Sequence, residues 1–225
     1  MRRVLVDVDS QRDFAEPGGA LYVDAPASVR EAVRRELEAA VRAGDPILGS
    51  VDSHAYDAWE FAANGGPFPP HCIKGTPGWL RIFPELPVRS RFVPLQAVDG
   101  AVRNVVGESV RGAGNRELDA AALAAEACVG VGVYFEKEVY SLFANAAAGP
   151  VIDALVRRLG DVRFDVVGWC TGGYCVDAAA TGLRSRGLAV RVIASATAPI
   201  GGAAGAAASR SSLEALGVEW VESSG

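Results

Sequence analysis

The chain has 225 residues, of which 50% are hydrophobic and 22% are charged, and its formal net charge is −5. This length predicts one domain with an ample hydrophobic core. The acidic balance argues against binding to nucleic acid or anionic membranes, and no apolar run reaches the ~18 residues that a transmembrane helix needs. We expect no signal peptide, because the N-terminus passes from Met-Arg-Arg straight into a short alternating run. Four cysteines are too few for a disulfide scaffold, which favours a reduced, cytoplasmic compartment.

Strands and helices alternate along most of the chain. The predicted strands are residues 3–8, 47–51, 129–135, 164–168, 189–194 and 217–221. The predicted helices are residues 28–43, 116–127, 151–159, 175–186 and about 210–216. This alternation, with strands that are apolar almost throughout, predicts an α/β fold with a six-stranded, mostly parallel sheet and helices on both faces.

Two local patterns give more specific expectations. Ser28 and Glu31 have the spacing of a capping box at the start of the first long helix. The stretch 201–208 contains only glycine and alanine, and its low complexity predicts a mobile surface loop.

Polar residues follow several of the predicted strands. Asp9, Asp52, Lys137 and the turn 169–175 each come just after a strand. Ligands of parallel sheets bind outside the carboxyl ends of the strands. We therefore expect these four positions to lie together at one edge of the sheet.

Cys175 is a candidate nucleophile. It follows a turn with Gly172 and Gly173 and begins a predicted helix, where the helix dipole stabilises a thiolate. Exposed amide groups at such a turn can hold an oxyanion. The alternative interpretation of Cys175 is a small buried hydrophobic residue.

Asp9 is a candidate general base, because a carboxylate after the first strand could take the thiol proton and return it to a leaving group. Asp7 and Asp13 are rival carboxylates. Asp7 alternates with Asp9 on the same side of the strand, so the pattern does not separate the two. An acid after a strand is also a common turn former.

A metal site is predicted from four residues at the end of the second strand and in the loop that follows it: Asp52, His54, Glu60 and His71. Both histidines of the chain lie in this segment. Mixed carboxylate and imidazole ligands suit Fe, Mn or Zn, and water would complete an octahedral site.

Lys137 is one of only two lysines in the chain; the other is Lys74. Lysine presents a compact charge that can favour a thiolate and a developing oxyanion. The alternative interpretation of Lys137 is an ordinary salt bridge with Glu136 or Glu138.

Three aromatic residues border these motifs: Phe14, Phe68 and Tyr140. They could form the wall of a pocket for a flat ring. Ordinary core packing is the alternative.

These motifs together resemble the nicotinamidase branch of the isochorismatase-like cysteine hydrolases. The similar segments are Asp9–Phe14, Asp52–His54, Pro69–Cys72 with Gly75–Gly78, Lys137 with Tyr140–Phe143, and Val166–Val176. Glu60 stands where a third histidine ligand is usual in this family. The similarity spans nearly the whole chain.

The resemblance implies an isochorismatase-like fold that hydrolyses nicotinamide to nicotinate and ammonia through a thioester. It selects Asp9 over Asp7 as the base, with Lys137 and Cys175 as its catalytic partners. It also implies one divalent metal ion that binds the pyridine nitrogen, and a cis peptide at Cys170-Thr171 that contributes to the oxyanion hole. The alternatives are an isochorismatase-like hydrolase of another small amide and an inactive metal-binding relative.

Two departures from compact family members stand out. Residues 87–130 resemble an insertion, which we expect to be an appendage near the pocket mouth, either a lid or a subunit contact in a homo-oligomer. The turn before Cys175 is one residue longer than usual, with Gly172 and Gly173 in place of one residue.

Overall fold

The computed structural model describes residues 1–95 and 119–224. In these residues seven strands form one sheet: β1 (Arg2–Val8), β2 (Ile47–Asp52), β3 (Arg89–Val93), β4 (Val131–Lys137), β5 (Val162–Thr171), β6 (Ala189–Pro199) and β7 (Glu219–Val221). The strand order is β3-β4-β2-β1-β5-β6-β7, and every neighbouring pair is parallel. The predicted parallel α/β architecture is therefore confirmed, with one strand more than expected.

Six α-helices accompany the sheet over the same described ranges: α1 (Arg12–Ala15), α2 (Ala27–Ala43), α3 (Ala120–Ala127), α4 (Ala148–Leu159), α5 (Cys175–Arg184) and α6 (Gly202–Ala215). None of the helices in those ranges combines the length and the apolar content needed to cross a bilayer.

The core lies on both faces of the sheet. Successive side chains of a strand point to opposite faces. In β1, Val4 and Val6 belong to the cluster that includes α3, α4 and α5, whereas Leu5 belongs to the cluster that includes α2. Strands buried on both faces explain the near-continuous apolar runs in the sequence.

The segment predicted to be an appendage supplies part of this core. Strand β3 pairs with β4, and Leu123 of α3 is buried in the same cluster as Val133 of β4. The expectation for 87–130 is therefore wrong for β3 and α3. Of the five residues of β3 only Val93 is buried, and Arg89 and Arg91 are exposed. This strand at the edge of the sheet therefore lacks the apolar run that marks the other strands in the sequence. The remainder of the predicted insertion, 96–118, lies outside the described residues.

Two local predictions are also wrong. Helix α2 begins at Ala27 after Pro26, and no side chain caps it, so Ser28 lies inside the helix. The stretch 201–208 is not a loop, because Gly202 onward belongs to α6. The alanines there are strong helix formers and outweigh the cost of the glycines.

Candidate active site

The structure brings the four predicted polar positions to one edge of the sheet. Asp9 follows β1, Asp52 ends β2, Lys137 ends β4 and Cys175 begins α5 directly after β5. Asp52 and Lys137 are register partners on neighbouring strands. The parallel topology therefore assembles residues that are far apart in the sequence.

Lys137 lies at the centre of this group. Its Nζ atom is 2.8 Å from Oδ2 of Asp9 and 3.6 Å from Sγ of Cys175, and it also forms an ion pair with Asp52. The side chains of Asp9 and Lys137 have no solvent exposure. A carboxylate oxygen of Asp9 and of Asp52 and the sulfur of Cys175 all lie within 4.8 Å of one another. The alternative pairing of Lys137 with Glu136 or Glu138 is not what the structure contains.

The backbone separates Asp9 from its rival Asp7. Asp9 has a φ of 46°, in the left-handed region, so its side chain leaves the alternation of β1 and turns toward Lys137. Asp7 instead forms a buried ion pair with Arg81 at 3.0 Å and accepts a hydrogen bond from the Tyr134 hydroxyl.

Asp13, the other rival, holds two loops in place. Its Oδ2 atom accepts a hydrogen bond from the amide of Cys72 at 2.6 Å, and its Oδ1 atom accepts one from the amide of Ala20 at 3.0 Å. Both carboxylate oxygens of Asp13 therefore hold backbone amides, and one of these amides belongs to Cys72, the residue after His71.

The charges of the site leave Asp9 able to accept a proton. Burial raises the pKa of Asp9 to about 6, and the neighbouring Lys137 opposes the rise. Burial also raises the pKa of the Cys175 thiol well above its usual value, although Lys137 again opposes it. The thiol is thus protonated at neutral pH, and attack by sulfur requires a base such as Asp9.

The four predicted metal ligands converge beside this group. The Nε2 atoms of His54 and His71 lie 3.0 Å and 3.2 Å from Oε1 of Glu60, and each is 3.9 Å from Oδ2 of Asp52. The two imidazole rings are 4.9 Å apart. Donor atoms from Asp52, His54 and His71 all lie within 4.8 Å of one another, which fits a single ion.

The chemistry of these donors fits a divalent metal. Nδ1 of His54 is buried without a hydrogen-bond partner, whereas its Nε2 atom faces the carboxylates of Glu60 and Asp52. Nδ1 of His71 is 2.8 Å from the carbonyl of Pro69, an arrangement that directs the Nε2 lone pair into the site. Burial alone would lower the pKa of His54, but Asp52 and Glu60 outweigh it and raise that pKa to about 9. The site therefore favours a positive charge.

A pocket opens onto both groups. Apart from Cys175 and three candidate metal ligands, its lining is mostly apolar and aromatic. The lining residues are Phe14, Leu21, Asp52, Glu60, Phe68, His71, Val139, Tyr140, Cys170, Tyr174, Cys175 and Ile200. The three predicted aromatic residues are all present. Phe14 and Phe68 lie 5.5 Å and 5.9 Å from the His71 ring, and Tyr140 packs edge-on against Tyr174.

The turn before Cys175 differs from the prediction in one respect. The cis peptide joins Trp169 and Cys170, one residue earlier than expected. Cys170 lines the pocket, whereas Thr171 is fully buried and its carbonyl accepts a hydrogen bond from the amide of Ile200. The two glycines of the turn have φ angles of 100° and 91°, which only glycine adopts readily.

Sequence reasoning missed the residues that hold the acids in place. Gln11 accepts a hydrogen bond from the amide of Asp52 and donates to its carbonyl, both at 2.8 Å. Ser50 donates to Oδ1 of Asp9 at 2.8 Å. The position of Gln11 inside the first motif was the available signal. Ser50 gave no signal, because it lies in a strand that otherwise reads as core.

Known structures share this fold over nearly their whole length. The match to a nicotinamidase/pyrazinamidase from Bacillus subtilis covers 99% of this chain and 100% of that one, with 23% identity and a TM-score of 0.67. The match to a Pyrococcus horikoshii pyrazinamidase in complex with zinc has 23% identity, a TM-score of 0.67 and coverage of 98% and 99%. The chain has the nicotinamidase fold.

The same fold serves other amidases. An N-carbamoylsarcosine amidase from Thermoplasma acidophilum matches with 21% identity, a TM-score of 0.61 and coverage of 100% of this chain and 98% of that one. No family model matches the sequence, and no curated protein does. These comparisons therefore show the fold that the chain shares with these proteins, and they select no substrate.

Proposed function

We propose that the chain is a cysteine amidohydrolase of the nicotinamidase branch of the isochorismatase-like family, which hydrolyses nicotinamide to nicotinate and ammonia. One observation supports this most: Cys175, whose sulfur lies beside Lys137 and Asp9, lines the same pocket as three of the four candidate metal ligands, Asp52, Glu60 and His71. The similarity of the fold to nicotinamidases agrees with it.

In the proposed reaction Asp9 removes the proton from the Cys175 thiol. The thiolate attacks the carboxamide carbon, and the tetrahedral intermediate expels ammonia, which leaves with the proton from Asp9. Water then attacks the thioester, with Asp9 accepting its proton. The intermediate then expels the Cys175 thiolate, which takes the proton back from Asp9, and the nicotinic acid formed loses its proton to solvent as nicotinate departs, which restores the starting state.

Lys137 and the backbone stabilise the charges that form. Its ammonium lies within 4 Å of both Asp9 and Cys175, and it lowers the energy of the thiolate and of the neighbouring oxyanion. The amide of Cys175 is the first of α5 and has no acceptor within the helix. With the turn at Cys170 and Thr171, it would hold the oxyanion.

Asp52, His54, Glu60 and His71 would hold one divalent ion, Zn, Fe or Mn. As a Lewis acid it would bind the pyridine nitrogen and orient the ring. Phe14, Phe68 and Tyr140 supply apolar walls for that ring. In this arrangement the chain fixes the carboxamide beside Cys175 by holding the opposite side of the ring.

Ammonia release from nicotinamide tests the proposal. Purified protein is assayed with each of the three metals, beside the Cys175→Ala variant as the control for the nucleophile. Metal-dependent ammonia release that the variant lacks would support the function. No release with any metal would contradict it.

A second candidate is hydrolysis of another small amide, which the fold shared with N-carbamoylsarcosine amidase favours. An amide panel with aromatic carboxamides and N-carbamoyl amino acids separates the two. Preference for a carboxamide on a pyridine ring supports the first candidate, because among these amides only a pyridine carboxamide offers the metal a ring nitrogen. A protein that binds metal but hydrolyses none of these amides would correspond to the third alternative, an inactive metal-binding relative.

A further inference from the structure

Two buried polar side chains lie beside the turn that precedes Cys175, and neither of them lines the pocket. Ser209 of α6 accepts a hydrogen bond from the amide of Gly172 at 2.6 Å. Its hydroxyl donates to Oδ1 of Asp177, in the first turn of α5, at 2.5 Å. Ser209 is only 2% exposed. A hydroxyl used as donor and acceptor at once links the turn, α5 and α6.

Small residues allow α6 to lie directly against this turn. A Cβ atom on Gly205 would stand 1.8 Å from the carbonyl oxygen of Ile200, and one on Gly172 would stand 2.7 Å from the same oxygen. The amide of Ile200 donates to the carbonyl of Thr171 at 3.0 Å. A glycine at position 205 is thus explained by the close approach of the helix to the turn.

The turn supplies one amide to this cluster, because the Gly172 amide donates to Ser209. The other carboxylate oxygen of Asp177, Oδ2, is buried without a hydrogen-bond partner. Burial raises the pKa of Asp177, and the hydrogen bond from Ser209 opposes that rise. The amide of Gly172 therefore faces α6, while the amide of Cys175 remains without an intrahelical acceptor.

We propose that Ser209 and Asp177 form a clasp that fixes the turn with Gly172 and Gly173 so that the Cys175 amide meets the carbonyl oxygen of the substrate. They are positioning residues, because they would act on the substrate through the backbone of the turn, which Ser209 contacts at Gly172. This inference rests on the proposed amide hydrolysis. It explains how a turn with two adjacent glycines, each with a positive φ, keeps one conformation.

Removal of the clasp should cost turnover and leave ligand binding intact. Ser209→Ala leaves the Gly172 amide and one Asp177 oxygen buried without their partner. A shift of the turn by part of an ångström would lower kcat by about 10- to 100-fold. KM should change little, because the metal ligands and the aromatic residues Phe14 and Phe68 lie on other elements.

The experiment compares wild type, Ser209→Ala, Ser209→Thr and Ser211→Ala. Ser211 is exposed on the same helix and serves as the matched control. Each protein is assayed for kcat and KM on the best amide of the panel. Each is also alkylated with iodoacetamide, and modification of Cys175 is followed by peptide mass spectrometry. Displacement of iodide by the thiolate forms no oxyanion, so this reaction reports the thiol alone.

We expect Ser209→Ala to lose kcat while its KM and alkylation rate match wild type, Ser209→Thr to recover most of the loss, and Ser211→Ala to behave as wild type. Full kcat in Ser209→Ala, or an equal loss in alkylation, would overturn the clasp. If Ser209→Ala does not fold, Ser209→Cys, a weak donor of similar shape, takes its place under the same criteria. A wild type that hydrolyses no amide would contradict the proposed function itself, and the clasp with it.

Discussion

Lys137 and Asp9 form an ion pair of 2.8 Å in which neither side chain reaches solvent. Burial alone would lower the pKa of Lys137, but Asp52 and Asp9 outweigh it and hold that pKa well above its usual range. The ammonium is therefore a permanent charge between two carboxylates. The same ammonium contacts the sulfur of Cys175 and the candidate metal ligand Asp52, so one side chain links the nucleophile to the metal site.

Replacement of Lys137 by glutamine should lower kcat for amide hydrolysis by at least about 100-fold, because a fixed charge near the developing oxyanion is lost. The variant should also unfold more easily, since Asp9 and Asp52 remain buried without their cation. Kinetics and urea unfolding measure the two effects.

Lys74→Gln is the matched control, because Lys74 is the other lysine and its side chain is half exposed in a pair with Glu136. It should change stability by no more than about 1 kcal/mol. Equal losses in both variants would show that the Lys137 effect is not specific to the site.

Replacement of Cys175 by alanine should abolish amide hydrolysis, with a loss of at least about 1000-fold, because the covalent step has no other nucleophile. Metal content should be unchanged, since the ligands come from β2 and the following loop. The measurement is ammonia release together with metal analysis. Cys128→Ala, at a half-buried cysteine outside the pocket, is the control. Residual activity of a few per cent would exclude Cys175 as the nucleophile.

Replacement of His71 by alanine should remove most of the bound metal after dialysis. Its Nε2 atom is one of the donors that converge near Glu60, and its loss leaves the site open. Metal bound per chain is measured by mass spectrometry in wild type and variant. Asp57→Ala, an exposed acid in the same loop, controls for general effects of the loop. Undiminished metal in His71→Ala would exclude this residue as a ligand.

Local chemistry in the sequence was sufficient to find much of the site. Asp52, His54, Glu60 and His71 are close in the chain, so their shared role shows in the spacing. The choice of Asp9 over Asp7 depends on a positive φ that alternation does not reveal. Strand β3 and the packing of α6 depend on tertiary contacts, and their composition alone resembles an appendage or a loop. The clasp joins residues 32 positions apart and has no local pattern.

Replacement of Leu123 by alanine tests the place of α3 in the core. Leu123 is 4% exposed and packs in the cluster of β4 and α4, so its truncation should cost about 2–4 kcal/mol of unfolding free energy. Leu216→Ala, at a half-exposed leucine after α6, should cost much less. Urea unfolding measures both. Equal, small effects would restore the interpretation of this segment as an appendage.

Asp165 gives the fold a dependence on pH that is remote from the active site. This carboxylate is fully buried in β5 and pairs with Arg3 at 3.0 Å, Arg163 at 2.8 Å and Arg191 at 2.7 Å. Burial alone would raise its pKa, but Arg191 and Arg163 outweigh burial and lower the pKa below the usual 3.8. A carboxyl group whose pKa is lower in the folded state contributes stability above its unfolded pKa.

Replacement of Asp165 by asparagine should therefore destabilise the protein at pH 7 by about 3 kcal/mol, since three guanidinium groups lose their shared partner. The difference from wild type should stay constant down to about pH 5 and shrink as the pH falls below about 4, where the Asp165 carboxyl group of the unfolded wild type begins to be protonated while that of the folded state stays ionised. Urea unfolding at several pH values measures this difference. Asp161→Asn, at an exposed acid paired only with the N-terminus, is the control. A difference that stays constant to pH 3.5 would show that the three arginines do not lower the pKa of Asp165.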